Sequence, residues 1–167
     1  MKILVTGASG FVAQHLIPSL LQNDSKAKVL GISRHKPSFN FSPRFVWKKA
    51  DLIDFKTLKT LIQNFKPTQI YHLAGESSVA DSFENPGRVF RSNTEGSINL
   101  LEVLKQLGLK PKVLLVSTGQ VYGATFRKKI APSETDLAYP MSPYGMSKLM
   151  MEETGLYYFR NYKIPIY

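Results

Sequence analysis

The chain contains no cysteine. That excludes a disulfide framework and any thiolate metal site, and it suits the reducing cytoplasm. No apolar run reaches bilayer-spanning length, so no membrane association is expected. The start is not a signal peptide either. Lys2 is followed by Ile3-Leu4-Val5 and then at once by a turn, whereas a signal needs a longer apolar stretch and a cleavage site. A soluble, cytoplasmic protein is the expectation.

Acidic residues are scarce, with 12 Asp and Glu against 22 Lys and Arg and a formal net charge of +10. Such an excess is one way to neutralise nucleic-acid phosphates. Here the cations are scattered over Lys48-Lys49, Lys56, Lys59, Lys66, Lys110 and Lys112, with one short run at Arg127-Lys128-Lys129. Dispersed charge of this kind reads as solvated faces plus affinity for small polyanions, and no nucleic-acid partner is expected. His15, His35 and His72 are not spaced to share a metal, so no metal centre is expected, and His72 reads as a packed strand residue.

What is present is enough apolar material, 43% of 167 residues, for one domain with a core. Short apolar blocks alternate with helix-like segments. Strands are expected at Lys2–Thr6, Lys28–Ser33, Phe45–Lys49, Gln69–Leu73 and Lys112–Ser117, with the Ile-Leu-Val content of strands covered on both faces. Helices are expected at Phe11–Gln22, Asp54–Asn64, Gly87–Leu107 and Pro143–Asn161, with Asp54 as a capping residue and Gly108 as a C-cap. This alternation specifies an α/β fold, a doubly wound parallel sheet of the Rossmann kind. Residues 1–167 are taken as one NAD(P)-binding domain. The segment Ala124–Ser142, rich in Pro, Ser and charge, is expected to be mobile over the site. Ile164-Pro165-Ile166-Tyr167 has the look of a strand's start, so the chain is expected to be truncated near the sixth strand.

Thr6-Gly7-Ala8-Ser9-Gly10-Phe11-Val12-Ala13 follows the first strand and opens a helix. Gly7 permits the tight turn, Gly10 lets backbone N–H groups reach a pyrophosphate, and Ala13 lets the helix sit close to the strand. Gly7, Ser9, Gly10, Phe11 and Val12 are therefore candidate dinucleotide contacts. The second strand ends in Ser33-Arg34-His35-Lys36, with no carboxylate for ribose hydroxyls and with Arg34 suited to a 2′-phosphate. The expected cofactor is NADP, with NAD as the alternative. Asp51 and Leu52, after the third strand, are placed to meet the adenine. Leu73, Ala74 and Gly75 offer a small-residue path along the sheet edge.

Tyr144 and Lys148 are four apart at the start of the last helical segment, so their side chains share a face. An ammonium there favours the charged form of a phenol, the chemistry of a general acid–base pair. Thr118, after the fifth strand, is placed to hydrogen-bond the same carbonyl.

Taken together the motifs resemble those of an extended short-chain dehydrogenase/reductase, of the NAD-dependent epimerase/dehydratase family acting on nucleotide sugars. The matching residues are Thr6–Val12, Asp51-Leu52, His72-Leu73-Ala74-Gly75, Asn93-x-x-Gly96-Ser-x-Asn99-Leu-Leu-Glu102, Ser117-Thr118-x-x-Val121-Tyr122-Gly123 and Pro143-Tyr144-x-x-Ser147-Lys148. The resemblance implies a catalytic triad of Thr118, Tyr144 and Lys148, with Ser117, Tyr144 and Lys148 also meeting the cofactor. It covers the N-terminal part of such an enzyme, with the C-terminal substrate domain absent. It further implies a homodimer through Gly87–Leu107 and Pro143–Asn161.

Dehydratases of that family carry an acid just after the Thr. Gly119-Gln120 stands here, and a Gln side chain cannot ionise, which disfavours elimination of water. The stretch Gly75–Pro86 is most similar to that of GDP-6-deoxy-4-keto-mannose reductases, which makes Ser77, Ser78, Ser82, Thr118 and Tyr144 candidate substrate contacts. Ser82 equally suits a cap on the following turn. The expectation is reduction of a 4-keto nucleotide sugar. A 4-epimerase is the alternative, followed by a 4,6-dehydratase or a cofactor-binding module without turnover.

Overall fold

Ile3, Leu4 and Val5 have no solvent exposure, as a strand covered on both faces requires. They form the centre of β1 (Lys2–Thr6) in a computed structural model that describes residues 1–38, 42–128 and 131–167. The chain continues through α1 (Phe11–Asn23), β2 (Lys28–Ser33), β3 (Phe45–Lys49), α2 (Phe55–Phe65) and β4 (Gln69–His72). Two short helices follow, α3 (Val79–Glu84) and α4 (Pro86–Phe90). A π-helical turn at Arg91–Glu95 then leads into α5 (Gly96–Gln106), β5 (Lys112–Leu115) and α6 (Pro143–Tyr162).

All neighbouring strands are parallel and the sheet order is β3-β2-β1-β4-β5. The chain winds outward in one direction from β1 to β3, then returns to β1's other side for β4. The crevice beyond the carboxyl ends of β1 and β4 is thus the switch point where such folds bind ligands. Side chains alternate across β1. Ile3 and Val5 pack with Ala13, Ile17 and Leu21 of α1 on one face. Leu4 packs on the other with Leu58 and Ile62 of α2, Leu100, Leu101 and Leu104 of α5 and Met151 of α6. Each such fully buried aliphatic side chain contributes roughly 1.5–3 kcal/mol. The doubly wound Rossmann architecture is the one expected from the alternating blocks.

The caps explain where the helices sit. Asp54 accepts a hydrogen bond from the Thr57 amide at 3.1 Å and starts α2. Ser142 accepts from the Gly145 amide at 3.0 Å, with Pro143 in the first turn of α6. Gly108, at φ 64°, closes α5. Arg44 donates to the carbonyls of Leu21 and Asp24 at 2.8 Å each, satisfying the open end of α1.

Two differences from the sequence reading have physical causes. β4 and β5 stop at His72 and Leu115 because these are the last positions at which the two strands pair. The segment expected as a single helix over Gly87–Leu107 is two α-helices joined by the π turn, and α3 precedes it with too little periodicity to be read. Of the segment Ala124–Ser142, Gly123–Lys128 forms 3-10 turns and Ala124 N donates to Tyr139 O at 3.1 Å, while residues 129 and 130 lie outside the described residues. The side chains of the Arg127-Lys128-Lys129 run lie outside them as well. Beside β5, Val113 N donates to Pro165 O at 2.8 Å and Tyr167 N to Val113 O at 2.9 Å, so residues 164–167 run parallel to that strand, as expected of a strand's start. No helix among the described residues is long and apolar enough to cross a membrane.

Candidate functional site

The turn between β1 and α1 is a backbone device. Gly7 sits at φ 68°, a conformation L side chains rarely adopt, and a Cβ there would lie 2.8 Å from the Ala74 amide nitrogen. Gly10 N donates to Gly7 O at 2.9 Å, which closes the turn. No side chain caps α1 and no acidic residue occupies its first turn, so its leading N–H groups and positive dipole end are available to an anion.

Beneath the turn lies a hydrogen-bonded relay. The hydroxyl of Thr6 accepts from the Ala74 amide at 3.1 Å and lies 2.9 Å from His72 Nδ1. His72 Nε2 lies 2.8 Å from the hydroxyl of Ser97, which donates onward to the Asn93 carbonyl. These directions are satisfied together when His72 is neutral with its proton on Nε2. Burial, with a smaller contribution from the charge of Lys148, brings the His72 ring down to about 3. It is therefore neutral at any physiological pH.

Above the carboxyl ends of the strands a cavity of about 470 Å³ opens. Its walls include Gly7, Ser9, Gly10, Arg34, Asp51, Leu52, Leu73, Ala74 and Gly75, nine of the residues that the sequence suggests for a dinucleotide. Phe11 and Val12 do not line it, and Phe11 is 76% exposed on the first turn of α1, stacked edge-on against His15. Asp51 is engaged locally, accepting from the Ile53 amide at 3.1 Å. The far rim is basic, with Arg34, Arg88 and Arg91 all on its wall. Ser33, also on the wall, has its hydroxyl engaged, accepting from the Trp47 indole at 2.9 Å and donating to His35 O at 2.7 Å. A cradle closed by glycine, an uncapped helix start and a cationic rim fit a dinucleotide.

Of the expected catalytic residues, Lys148 stands beside the cavity wall, next to Gly75. A Cβ on Gly75 would lie 4.0 Å from Lys148 Nζ. Tyr144 and Lys148 are both largely buried on α6, and Lys148 Nζ donates to Val116 O at 2.6 Å. Burial lowers the Lys148 ammonium to about 8, against the charge of Glu152, which favours protonation. Thr118 accepts from the Gln120 amide at 3.3 Å, which leaves its own proton to donate. The Gln120 backbone is packed against Gly145, where a Cβ would come within 2.8 Å of the Gln120 carbonyl oxygen. Thr118 and the start of α6 are thereby held as neighbours. The Ser117 hydroxyl is buried without a hydrogen-bond partner among the described residues.

Of the three serines among the candidate substrate contacts, Ser82 is fully buried and donates to Val79 O at 2.6 Å, and Ser78 caps α3 by accepting from the Asp81 amide at 3.1 Å. Ser77 is exposed. Asn93 and Ser147 carry no role in the sequence reading, although both stand in the motifs that carry the resemblance. Asn93, buried in the π turn, accepts from the Glu76 amide at 2.7 Å and donates to Glu76 O and to Ser147 Oγ, each at 3.0 Å. Ser147 donates to Tyr144 O at 2.7 Å. One amide side chain thus ties the cavity wall to the turn of helix that carries the tyrosine. π turns are frequent at functional sites, and the only signal of this one in the sequence is that Asn93 and Ser147 are letters of the matching motifs.

The family profile described as GDP-mannose 4,6 dehydratase matches residues 4–167. The UDP-glucose 4-epimerase of Lacticaseibacillus casei is 35% identical over 155 residues, covering 92% of this chain and 45% of that protein. The UDP-glucose 4-epimerase of Thermus thermophilus, solved in complex with NAD, superposes with a TM-score of 0.89 at 31% identity, over 99% of this chain and 53% of that one. The UDP-glucuronic acid 4-epimerase of Bacillus cereus, solved with UDP-glucuronic acid and NAD, gives 0.86 at 34% identity, over 99% of this chain and 55% of that one. The chain spans about half the length of the relatives it matches. With its glycine turn, basic rim and Tyr144–Lys148 helix in that fold, the chain belongs to the GDP-mannose 4,6-dehydratase family of NAD-dependent nucleotide-sugar epimerases and dehydratases.

Proposed function

We propose that residues 1–167 are the dinucleotide-binding part of a nucleotide-sugar 4-epimerase. The observation that carries this is Lys148 beside Gly75 of the cavity wall, one helical turn after the largely buried Tyr144 on α6, with an amide, Gln120, where elimination would need an acid. The named relatives with an epimerase activity support the same ranking.

A bound nicotinamide supplies the hydride acceptor and donor. Tyr144, as phenolate, takes the proton from the sugar C4 hydroxyl as the carbinol is oxidised, and returns it when the ketone is reduced from its other face. The Lys148 ammonium, charged below about pH 8, stabilises the phenolate and donates toward the nicotinamide ribose. Thr118 donates to the same C4 oxygen. The uncapped start of α1 and the Gly7–Gly10 turn hold the pyrophosphate. The exposed apolar residues of α6, among them Met146, Met150, Leu156 and Phe159, support the expected pairing with a second copy.

A 4-keto reductase using NADPH is the second reading, favoured by Arg34 at the end of β2 with no carboxylate beside it on that strand. The two separate in one assay with NAD(H), NADPH, a panel of UDP-hexoses and a panel of 4-keto nucleotide sugars. C4 inversion without net use of cofactor is expected, and stoichiometric oxidation of NADPH would instead establish the reductase. Binding without either reaction would establish a module that does not turn over. Tyr144→Phe is expected to lower turnover by about 10²- to 10⁴-fold with dinucleotide affinity kept. Full turnover in that variant would refute the acid–base role.

A further inference from the structure

Glu76 follows Gly75 at the cavity wall and makes an arrangement that neither the motifs nor the fold require. Its backbone is fixed by Asn93, which accepts from its amide at 2.7 Å and donates to its carbonyl at 3.0 Å. The side chain is therefore not needed to hold the peptide in place. It reaches instead between two cations from different elements. Oε1 lies 3.2 Å from Arg34 Nη2, at the end of β2, and Oε2 lies 3.7 Å from Arg88 Nη2, on α4. The two arginine side chains are 57% and 53% exposed and that of Glu76 is 21% exposed. Arg91, the third cation on the rim, is paired elsewhere, with Glu95 at 3.6 Å.

Arg34 is the group on this rim suited to a ribose 2′-phosphate, and one carboxylate already holds it. A carboxylate and a phosphate dianion compete for the same planar fork of donors. Arg88 shares the carboxylate, so Glu76 keeps a cation when Arg34 is withdrawn, and the exchange leaves no unpaired anion. A dinucleotide with a plain 2′-hydroxyl demands no such exchange. Ser33, at the strand end, is committed to Trp47 and His35 and offers that hydroxyl no acceptor carboxylate.

We propose that Glu76 sets the cofactor preference, as a built-in competitor of the 2′-phosphate for Arg34. The inference rests on the reading of the cavity as a dinucleotide site. It accounts for a chain whose β2 end is suited to NADP within a fold whose solved neighbours hold NAD.

The test is a set of fluorescence titrations with NADPH and NADH on the parent chain, Glu76→Gln, Arg34→Ala and the double variant. Glutamine keeps the shape and hydrogen-bonding reach of the side chain and removes its charge. Glu76→Gln is expected to tighten NADPH about 3- to 5-fold, the scale of an exposed ion pair, with NADH changed less than about 2-fold. Arg34→Ala is expected to weaken NADPH by more than about 10-fold, and in that background Glu76→Gln has no further effect on the NADPH-to-NADH ratio. The gain from Glu76→Gln also shrinks at about 0.5 M salt, where the Debye length is only a few ångströms. An unchanged ratio in Glu76→Gln, or the same gain with Arg34 absent, overturns the competition while leaving the dinucleotide site intact. If a correctly folded parent chain binds neither dinucleotide, the site reading itself falls, and the inference with it.

Discussion

The two ends of the cavity offer hydrogen-bond donors by opposite means. At the glycine turn the donors are backbone N–H groups, fixed by a positive φ and underlaid by the sealed Thr6–His72–Ser97 relay. At the rim the donors are three arginines on long, half-exposed side chains, each paired with a carboxylate. The first end is rigid because altering it means altering the fold. The second is adjustable because each pair is worth little and is screened by salt. On the proposed reading, a site built this way would keep the part of the ligand common to every dinucleotide on the scaffold and leave the distinguishing part to the surface.

That contrast can be broken most severely at Gly7. Gly7→Ala places a Cβ against the Ala74 backbone at a φ of 68°, and is expected to cost about 2–4 kcal/mol of stability. Dinucleotide affinity should fall by more than about 100-fold, read by thermal unfolding and by NADH fluorescence. A variant that binds normally would show that the turn is not the anchor.

His72→Leu tests the foundation of the same end. It leaves the Thr6 and Ser97 hydroxyls short of a partner and is expected to cost about 2–4 kcal/mol. The pH dependence sharpens the test. His72 is held near 3 in the folded chain against 6.5 when unfolded, so between those values the unfolded state takes up a proton that the folded state refuses. This contribution to stability is full above about pH 6.5 and is lost as pH falls toward 3, at up to about 1.4 kcal/mol per unit. Denaturant unfolding across that range should show a shallower acid limb in the leucine variant. The smallest effect belongs to the rim. Arg88→Ala should weaken either dinucleotide by only about 2- to 3-fold, and the loss should vanish at high salt.

Legibility in the sequence follows the same division. Gly7, Gly10, the buried strands and the Tyr144–Lys148 spacing are local, and local geometry is written in residue order, so sheet, turn and helix are all readable. The pairing of Arg34 with Glu76 joins residues 42 apart, and that of Thr6 with His72 joins residues 66 apart, neither of which any periodicity predicts. Asn93 is visible as a motif letter without a role, because its role is to connect two segments that meet only in the folded chain. α3, six residues long, buries too little to impose a pattern.

The π turn at Arg91–Glu95 also acts as a phase shifter. One residue more than an α-helical turn requires rotates everything after it by about 100° around the axis. Arg88 before it and Arg91 at its start look into the cavity, while Leu100, Leu101 and Leu104 after it lie against the sheet. Deleting a single residue there would straighten the helix and force a choice between an arginine rim with a poorly packed sheet and a sound core with misdirected arginines. The extra residue lets one continuous rod serve a wet face and a dry face in succession.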